Sequence, residues 1–274
     1  MSSFALRIKS RNSSWPRAPL QESKTQIHRP AQRRTIRVLK SRPEMGRLCG
    51  SRYEREARQR GWQRIAGIDE VGRGSLFGPV VACAVVLNPK RRIVGLDDSK
   101  KLTHERRCAL AQRIRRHALA WAIAEIAASR IDAWNIYQAS RQAMVAAVSQ
   151  LRPLPDYLLL DAVEIDLPIE QRALIHGDAR SVSIAAASIL AKVERDHQME
   201  QFDQLYPQYG LAQNKGYATP DHLDALRRLG PTPLHRFSYA PVREAGCWAS
   251  GATQEPLPLG APSGAIANAQ PGNT

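Results

Sequence analysis

A chain of 274 residues with 43% hydrophobic residues carries enough apolar material for a packed core, which excludes a wholly disordered protein. No apolar run approaches the roughly 20 residues of a membrane-crossing helix. The formal charge of +15 favours a polyanionic partner, because clustered Lys and Arg release counterions from phosphates, yet residues 1–44 concentrate it: eleven Lys or Arg against Glu22 and Glu44 give +9, leaving +6 for the other 230.

Residues 1–61, rich in Arg, Ser and Pro without a sustained hydrophobic period, read as a basic disordered leader. The segment is poor in acid, as a transit peptide is, but Pro16, Pro30 and Pro43 interrupt any amphipathic helix, and Met45 offers a second start. Arg64 to Asp69 reads as a strand, and Pro79 to Leu87 as a second, β-branched one, paired as a hairpin across Gly72, Gly74 and Gly78. Thr103 caps a helix to about His117, and Ala120 to Ala127 is a third strand. A helix follows from about Ala133 to Leu151, closed by Pro153 and Pro155. Tyr157 to Asp161 is a wholly apolar run ending in an acid, which suits a buried central strand. Leu174 and Ile175 form a fifth strand leading into His176-Gly177-Asp178; helices over about Ser181 to Tyr206 and Thr219 to Leu229 complete the core. From Ser250 on, Pro256, Pro258, Pro262 and Pro271 among Gly, Ala and Ser are linker chemistry. The expected architecture is an α/β domain over 62–248, a mixed five-stranded sheet flanked by helices with a helical C-terminal part, followed by a disordered tail at 249–274. Cys49, Cys83, Cys108 and Cys247 lack CxxC spacing and have no nearby histidine arranged as a zinc ligand set, so free thiols in a reducing cytosol are expected.

Three apolar strands each lead into acid: Asp69-Glu70, Asp161 and Asp178. Strand ends gather at one sheet edge, where four carboxylates cannot all stay ionised without a cation. Hard oxygen ligands suit Mg²⁺ or Mn²⁺, and two such ions about 4 Å apart can activate water and stabilise the leaving oxygen of a phosphodiester. For any one acid a solvated strand end is the simpler reading; three together shift the balance. Asp97, Asp98, Glu164 and Asp166 read as solvated loop residues. Gly72-Arg73-Gly74-Ser75-Leu76-Phe77-Gly78 fails as a dinucleotide fingerprint, because its spacing is wrong and a strand follows it, and it lacks the Gly-Lys-Ser/Thr of a phosphate loop. That counts against a nucleotide hydrolase. The glycines permit close approach of backbone to a ligand; a plain hairpin turn is equally compatible. A non-catalytic nucleic-acid-binding protein explains the charge but not the converging acids, which repel phosphate unless metal is present.

The segments IAGIDEVGRGSLFGPVVACAVVL, DDSKKL, LLLD, HGDARSVSIAAASILAKVERD, YPQYGLAQNKGYAT and HRFSYAPVRE, in that order, resemble the bacterial ribonuclease HII family over Ile65 to Glu244. The resemblance implies a ribonuclease H-like fold and endonucleolytic hydrolysis of the RNA strand of RNA/DNA hybrids. It also implies incision 5′ of ribonucleotides embedded in duplex DNA, in the service of removing them, by a two-metal mechanism with Mn²⁺ or Mg²⁺. Asp69, Glu70, Asp161 and Asp178 become the catalytic, metal-binding carboxylates. The backbone of Gly72, Arg73 and Gly74 senses the ribose 2′-hydroxyl, the group that tells RNA from DNA, and Tyr217 stacks on the next sugar beside Lys215. From the residues alone Tyr217 reads as a half-buried core aromatic. By the same resemblance Ser99, Lys100 and Lys101 contact phosphates, and Ser188 and Lys192, four apart on one helical face, reach the nucleic-acid backbone. A cytoplasmic monomer is expected. Departures from the family pattern are Ser75 for a proline, Ala162-Val163 for Gly-Asn, His176 for a lysine and Asn214 for a histidine; none removes a carboxylate. Ribonuclease HIII fits less well, because Arg73-Gly74-Ser75 differs from its motif.

Overall fold

A computed structural model describes residues 49–249, with side chains through 246. Residues 1–48 of the expected leader and 250–274 of the expected tail lie outside the described residues. The sheet has five strands in the order β3-β2-β1-β4-β5: β1 Ile65–Val71, β2 Val80–Val86, β3 Ala120–Ile126, β4 Tyr157–Asp161 and β5 Glu170–Leu174. The first three are antiparallel neighbours, while β4 and β5 run parallel to β1. The expected mixed sheet is present.

Alternation along β1 decides what each sheet face meets. Ala66 and Ile68 join the apolar cluster formed with Ala139, Ala143, Met144 and Ala147 of α4 (Ile136–Gln150). Gly67 faces the other way, onto α5 (Val182–Leu205), where a Cβ would stand 2.0 Å from the carbonyl carbon of Ser183. Glycine here lets the central strand and the central helix touch, so Asp69, two residues on, faces α5 as well. On that face α2 (His104–His117) adds Leu110 and Ile114 to a cluster with Ala185 to Ala187 and Ile189 to Ala191 of α5. The predicted cap holds: Thr103 accepts from the backbone N–H of Arg106 at the start of α2, and Ser181 and Thr219, near which two further helices were expected to begin, accept from Ile184 and His222 at the starts of α5 and α7 (Pro220–Leu229).

Several boundaries differ from the sequence reading. The helix expected over 133–151 is two, α3 (Ala128–Trp134) and α4, because Asn135 takes φ 69 and its side chain caps α4 by accepting from Gln138 N at 3.0 Å. The fifth strand lies earlier than Leu174-Ile175, at Glu170–Leu174, and Ile175 is 70% exposed. This edge strand is too polar to announce itself by hydrophobicity. β1 continues through Val71, so Asp69 and Glu70 sit inside the strand rather than at its end.

The ordered domain also begins before residue 62. Helix α1 (Arg52–Gln59) buries Tyr53, Glu54 and Ala57 against Ile65, Tyr157, Leu159 and Ile184. The Glu54 carboxylate accepts from Ser181 Oγ at 2.6 Å and Ser183 N at 2.9 Å, which satisfies the amino-terminal turn of α5 from a distant segment. A short α6 (Leu211–Asn214) and a carboxy-terminal α8 (Ala240–Ala249) went unpredicted. The turn before α8 is held by Asp132, which accepts from Phe237 N and Ser238 N, both at 2.9 Å. Cys49, Cys83 and Cys108 are free thiols, and among the described residues no helix is long and apolar enough to cross a membrane.

Candidate active site

Asp69 is 6% exposed and hydrogen-bonds Ser188 on α5, whose Oγ lies 2.9 Å from Ser99 Oγ on the single turn Ser99–Lys101. Burial, with Glu70 and Asp161 adding repulsion, pushes the Asp69 carboxyl well above the usual carboxylate range. Burial also raises Glu70, although Arg73 Nη1 lies 3.2 Å from its Oε1, and Glu70 Oε2 is buried without a hydrogen-bond partner. Asp161 ends β4 and accepts from Gly177 N at 2.7 Å. Asp178 lies on the turn Gly177–Ala179 that follows β5, not at a strand end, and its carboxylate stands 3.6 Å from Lys100 Nζ. Burial raises it too, followed by Asp98 and Asp161.

The four predicted carboxylates thus share one edge of the sheet and repel one another across it. As they stand, Glu70 leans on Arg73, Asp161 on Gly177 and Asp178 on Lys100, and among the described residues no three His, Cys, Asp or Glu side chains are grouped closely enough to enclose an ion. The donor set nonetheless fits a hard divalent cation: every donor is a carboxylate oxygen, burial and neighbouring carboxylates disfavour the charge of Asp69, Glu70 and Asp178, and Glu70 Oε2 lacks a partner.

The glycine loop is brought to the same edge. Gly72 takes φ 89, and a Cβ on it would lie 2.4 Å from Arg195 Nε, so only glycine fits. Gly74 is exposed, with nothing within 4 Å of where its Cβ would be. The Arg73 carbonyl accepts from Arg236 Nη1 at 2.9 Å and from the Tyr239 hydroxyl. Two direct bonds couple this loop to the half-buried Tyr217 segment: Leu76 N to Gly216 O at 2.8 Å and Ser75 Oγ to Gly216 O at 2.9 Å.

The other predicted contacts divide. Lys100 and Lys101 project from an exposed turn, Lys101 within 3.6 Å of Asp97. Lys192 is bound to buried Asp196 at 2.7 Å, and Lys215 to Glu200 at 2.9 Å, so neither is a free cation. Ser99 and Ser188 are buried against each other and behind Asp69.

Two buried arginines escaped the sequence reading. Arg195 on α5 and Arg236 donate to the carbonyls of Phe77, Gly78, Pro79, Arg73 and Lys215, with no carboxylate among these acceptors. Burial, with Arg236 adding to it, pushes Arg195 down to about 10. In the sequence both look like ordinary basic residues in a basic chain; only their place beneath the loop reveals them.

The model of the family "Ribonuclease HII" matches residues 66–242. The chain belongs to the ribonuclease HII family. It is 58% identical over 195 residues to ribonuclease HII of Solibacter usitatus, covering 71% of this chain and 86% of that one. It is 51% identical over 191 residues to ribonuclease HII of Bacillus subtilis, covering 70% and 75%. Among solved structures, ribonuclease H2 of Pyrococcus horikoshii OT3 superposes with a TM-score of 0.61 at 25% identity, covering 67% of this chain and 97% of that one. The chain is therefore a ribonuclease H, a hydrolase that cuts the RNA strand of RNA/DNA hybrids endonucleolytically.

One departure from the family pattern has a structural consequence. Ala162, directly after Asp161, takes φ 58, the left-handed region that a Cβ disfavours. Ala162→Gly is expected to stabilise the protein by about 0.5–1 kcal/mol, relief of the strain outweighing the added freedom of the unfolded chain. A chemical denaturation midpoint unchanged or lowered in the glycine variant would contradict this.

Proposed function

We propose that Asp69, Glu70, Asp161 and Asp178 are the catalytic carboxylates, and that the enzyme incises 5′ of a ribonucleotide embedded in duplex DNA as well as within RNA/DNA hybrids. The observation that carries this reading is the pairing of four mutually repelling carboxylates with a glycine loop bonded directly to the Tyr217 segment. Two divalent ions, Mn²⁺ or Mg²⁺, held by these carboxylates would activate water and stabilise the leaving 3′ oxygen. Ser188, itself braced by Ser99, orients Asp69. Lys100 and Lys101 take phosphate oxygens on the approaching strand, and Arg73 adds charge beside Glu70. Lys192 and Lys215 reach the nucleic acid only by releasing Asp196 and Glu200. The glycine loop contacts the 2′-hydroxyl, and Tyr217 packs on the following deoxyribose. The products are a 3′-hydroxyl and a 5′-phosphate-bearing ribonucleotide. Such an enzyme acts as a cytoplasmic monomer in removing misincorporated ribonucleotides.

The test is a cleavage assay on duplexes that carry one, several or no ribonucleotides, with Mg²⁺, with Mn²⁺ and with chelator. Cleavage 5′ of the single ribonucleotide that requires metal is expected. Cutting of the all-DNA duplex at a comparable rate, or undiminished cutting in chelator, would remove the proposal.

The basic leader contributes charge but no sustained hydrophobic period. Deletion of residues 1–44 removes a net +9. It should leave turnover at saturating substrate within about twofold while weakening binding to plain duplex and flattening its salt dependence, because nonspecific affinity follows the number of phosphates neutralised. Binding titrations at several salt concentrations alongside single-site cleavage rates check both halves.

A further inference from the structure

Two histidines without solvent exposure lie next to the Tyr217 segment: His222 on α7 and His235 in the segment that follows it. Their Nε2 atoms stand 3.3 Å apart. A hydrogen bond between them needs one N–H and one lone pair, and the outer ring nitrogens decide which ring supplies which. The backbone N–H of Thr232 donates to His235 Nδ1 at 2.9 Å, so that nitrogen carries a lone pair and the neutral ring bears its proton on Nε2. His235 Nε2–H then donates to His222 Nε2. The His222 proton is left on Nδ1, which lies 2.9 Å from the carbonyl oxygen of Tyr217 and donates to it. Every bond runs one way, from Thr232 through both rings to Tyr217. Burial, with His222 adding to it, pushes His235 down to about 3, and burial lowers His222 as well, so both rings are neutral at physiological pH.

The far end of this relay is tied to the chain that continues from the glycine loop. His235 pairs with Phe77 in an antiparallel bridge, Gly78 N donates to Leu234 O at 2.9 Å, and Arg236 N donates to Leu76 O at 2.8 Å. Phe77 also packs edge-on against the His235 ring, with centroids 4.9 Å apart. One end of the relay therefore sits on the backbone of Tyr217 and the other on residues 76–78.

We propose that His235 and His222 are positioning residues: they hold Tyr217 at a set distance from the Gly72–Gly74 loop and so sharpen the preference for a ribose followed by a deoxyribose. This rests on the reading of Tyr217 given above.

The relay can be tested apart from activity. Nitrogen NMR of the full chain with labelled histidine should show His235 protonated on Nε2 and His222 on Nδ1 at neutral pH; the opposite tautomers, or an imidazolium, overturn the relay. Its role is tested by two amide substitutions. His222→Asn keeps a donor near the Nδ1 position, facing Tyr217; His222→Gln keeps a partner for His235 and withdraws that donor. The quantity read is the ratio of kcat/KM on a single-ribonucleotide duplex to kcat/KM on a long RNA/DNA hybrid. His222→Gln should lower it by roughly tenfold, the effect of one buried hydrogen bond, and His222→Asn by much less. In a Tyr217→Ala background, His222→Gln should leave the ratio unchanged, because the residue it acts through is gone. Equal losses on both substrates, a larger loss in His222→Asn than in His222→Gln, or a further fall in the Tyr217→Ala background each overturn the proposal. An intact ratio in Tyr217→Ala alone, with the tautomers as stated, instead removes the reading of Tyr217, and the proposal with it.

Discussion

Asp69→Asn is expected to lower kcat on an RNA/DNA hybrid by about 10³-fold or more, roughly 4 kcal/mol of transition-state stabilisation, while the protein stays folded. The substitution preserves volume and removes one charge from a buried carboxylate. The stability half of the result has a definite sign. Burial and the neighbouring Glu70 and Asp161 raise the folded-state value of Asp69, so the stability it contributes is present below the ordinary Asp range and lost as pH rises through the raised value. In chelator the unaltered protein should therefore lose melting temperature as pH climbs out of the acid range, and Asp69→Asn should flatten that decline. Thermal melts across pH beside single-turnover cleavage measure the two halves together. A folded variant that cleaves at a near-normal rate with Mg²⁺ would end the catalytic assignment of Asp69.

Tyr217→Ala should cut kcat/KM on a duplex with one ribonucleotide by roughly 10- to 100-fold, the worth of one aromatic stacking contact, and should cost much less on a long hybrid, where many registers are open. The contrast follows from reading two adjacent sugars at once: the glycine loop takes the 2′-hydroxyl and the tyrosine takes its neighbour. Against all-DNA duplex the unaltered enzyme should discriminate by roughly 10⁴ or more, because a site built to bond a hydroxyl leaves its own polar groups unpaired when the hydroxyl is missing. Both proteins are compared on all three duplexes at equal Mg²⁺. Equal proportional losses on the two ribonucleotide substrates would refute junction reading by Tyr217 and leave the carboxylate assignment standing.

Much of this site was visible in the chain before any coordinates. Asp161 stands out because four apolar residues precede it, and Asp69 because Ile65 to Ile68 do the same; Glu70 came only by adjacency. Asp178 was found for a partly wrong reason, since it lies on a turn after β5 and not at the end of a strand. The glycine loop was ambiguous by spacing alone: what separates it from a plain hairpin turn is the approach of Arg195 to Gly72 and the bonds that tie residues 75 and 76 to Gly216. Lys192 and Lys215 are both paired: Asp196 stands four residues after Lys192, a helical spacing that the sequence did show, whereas Glu200, 15 positions before Lys215, is brought to it only by the fold.

The mixed sheet, the Thr103 cap of α2, the approximate starts of α5 and α7, and the apolar faces that bury them were all legible in the chain. Each of these is a local matter: period 2 or 3.6 in hydrophobicity, or a side chain three residues from the amide it caps. What only the tertiary structure decided concerns buried polar groups whose partners are distant along the chain. Glu54 meets Ser181 across 127 positions and makes α1 part of the domain, and Arg236 meets Gly78 across 158 and carries the glycine loop. A buried donor or acceptor must find a partner, but its own residue type does not say which one. That choice depends on the path of the chain. The same holds for His222 and His235, whose neutral rings and direction of hydrogen bonding exist only because the fold sets them 3.3 Å apart, away from water.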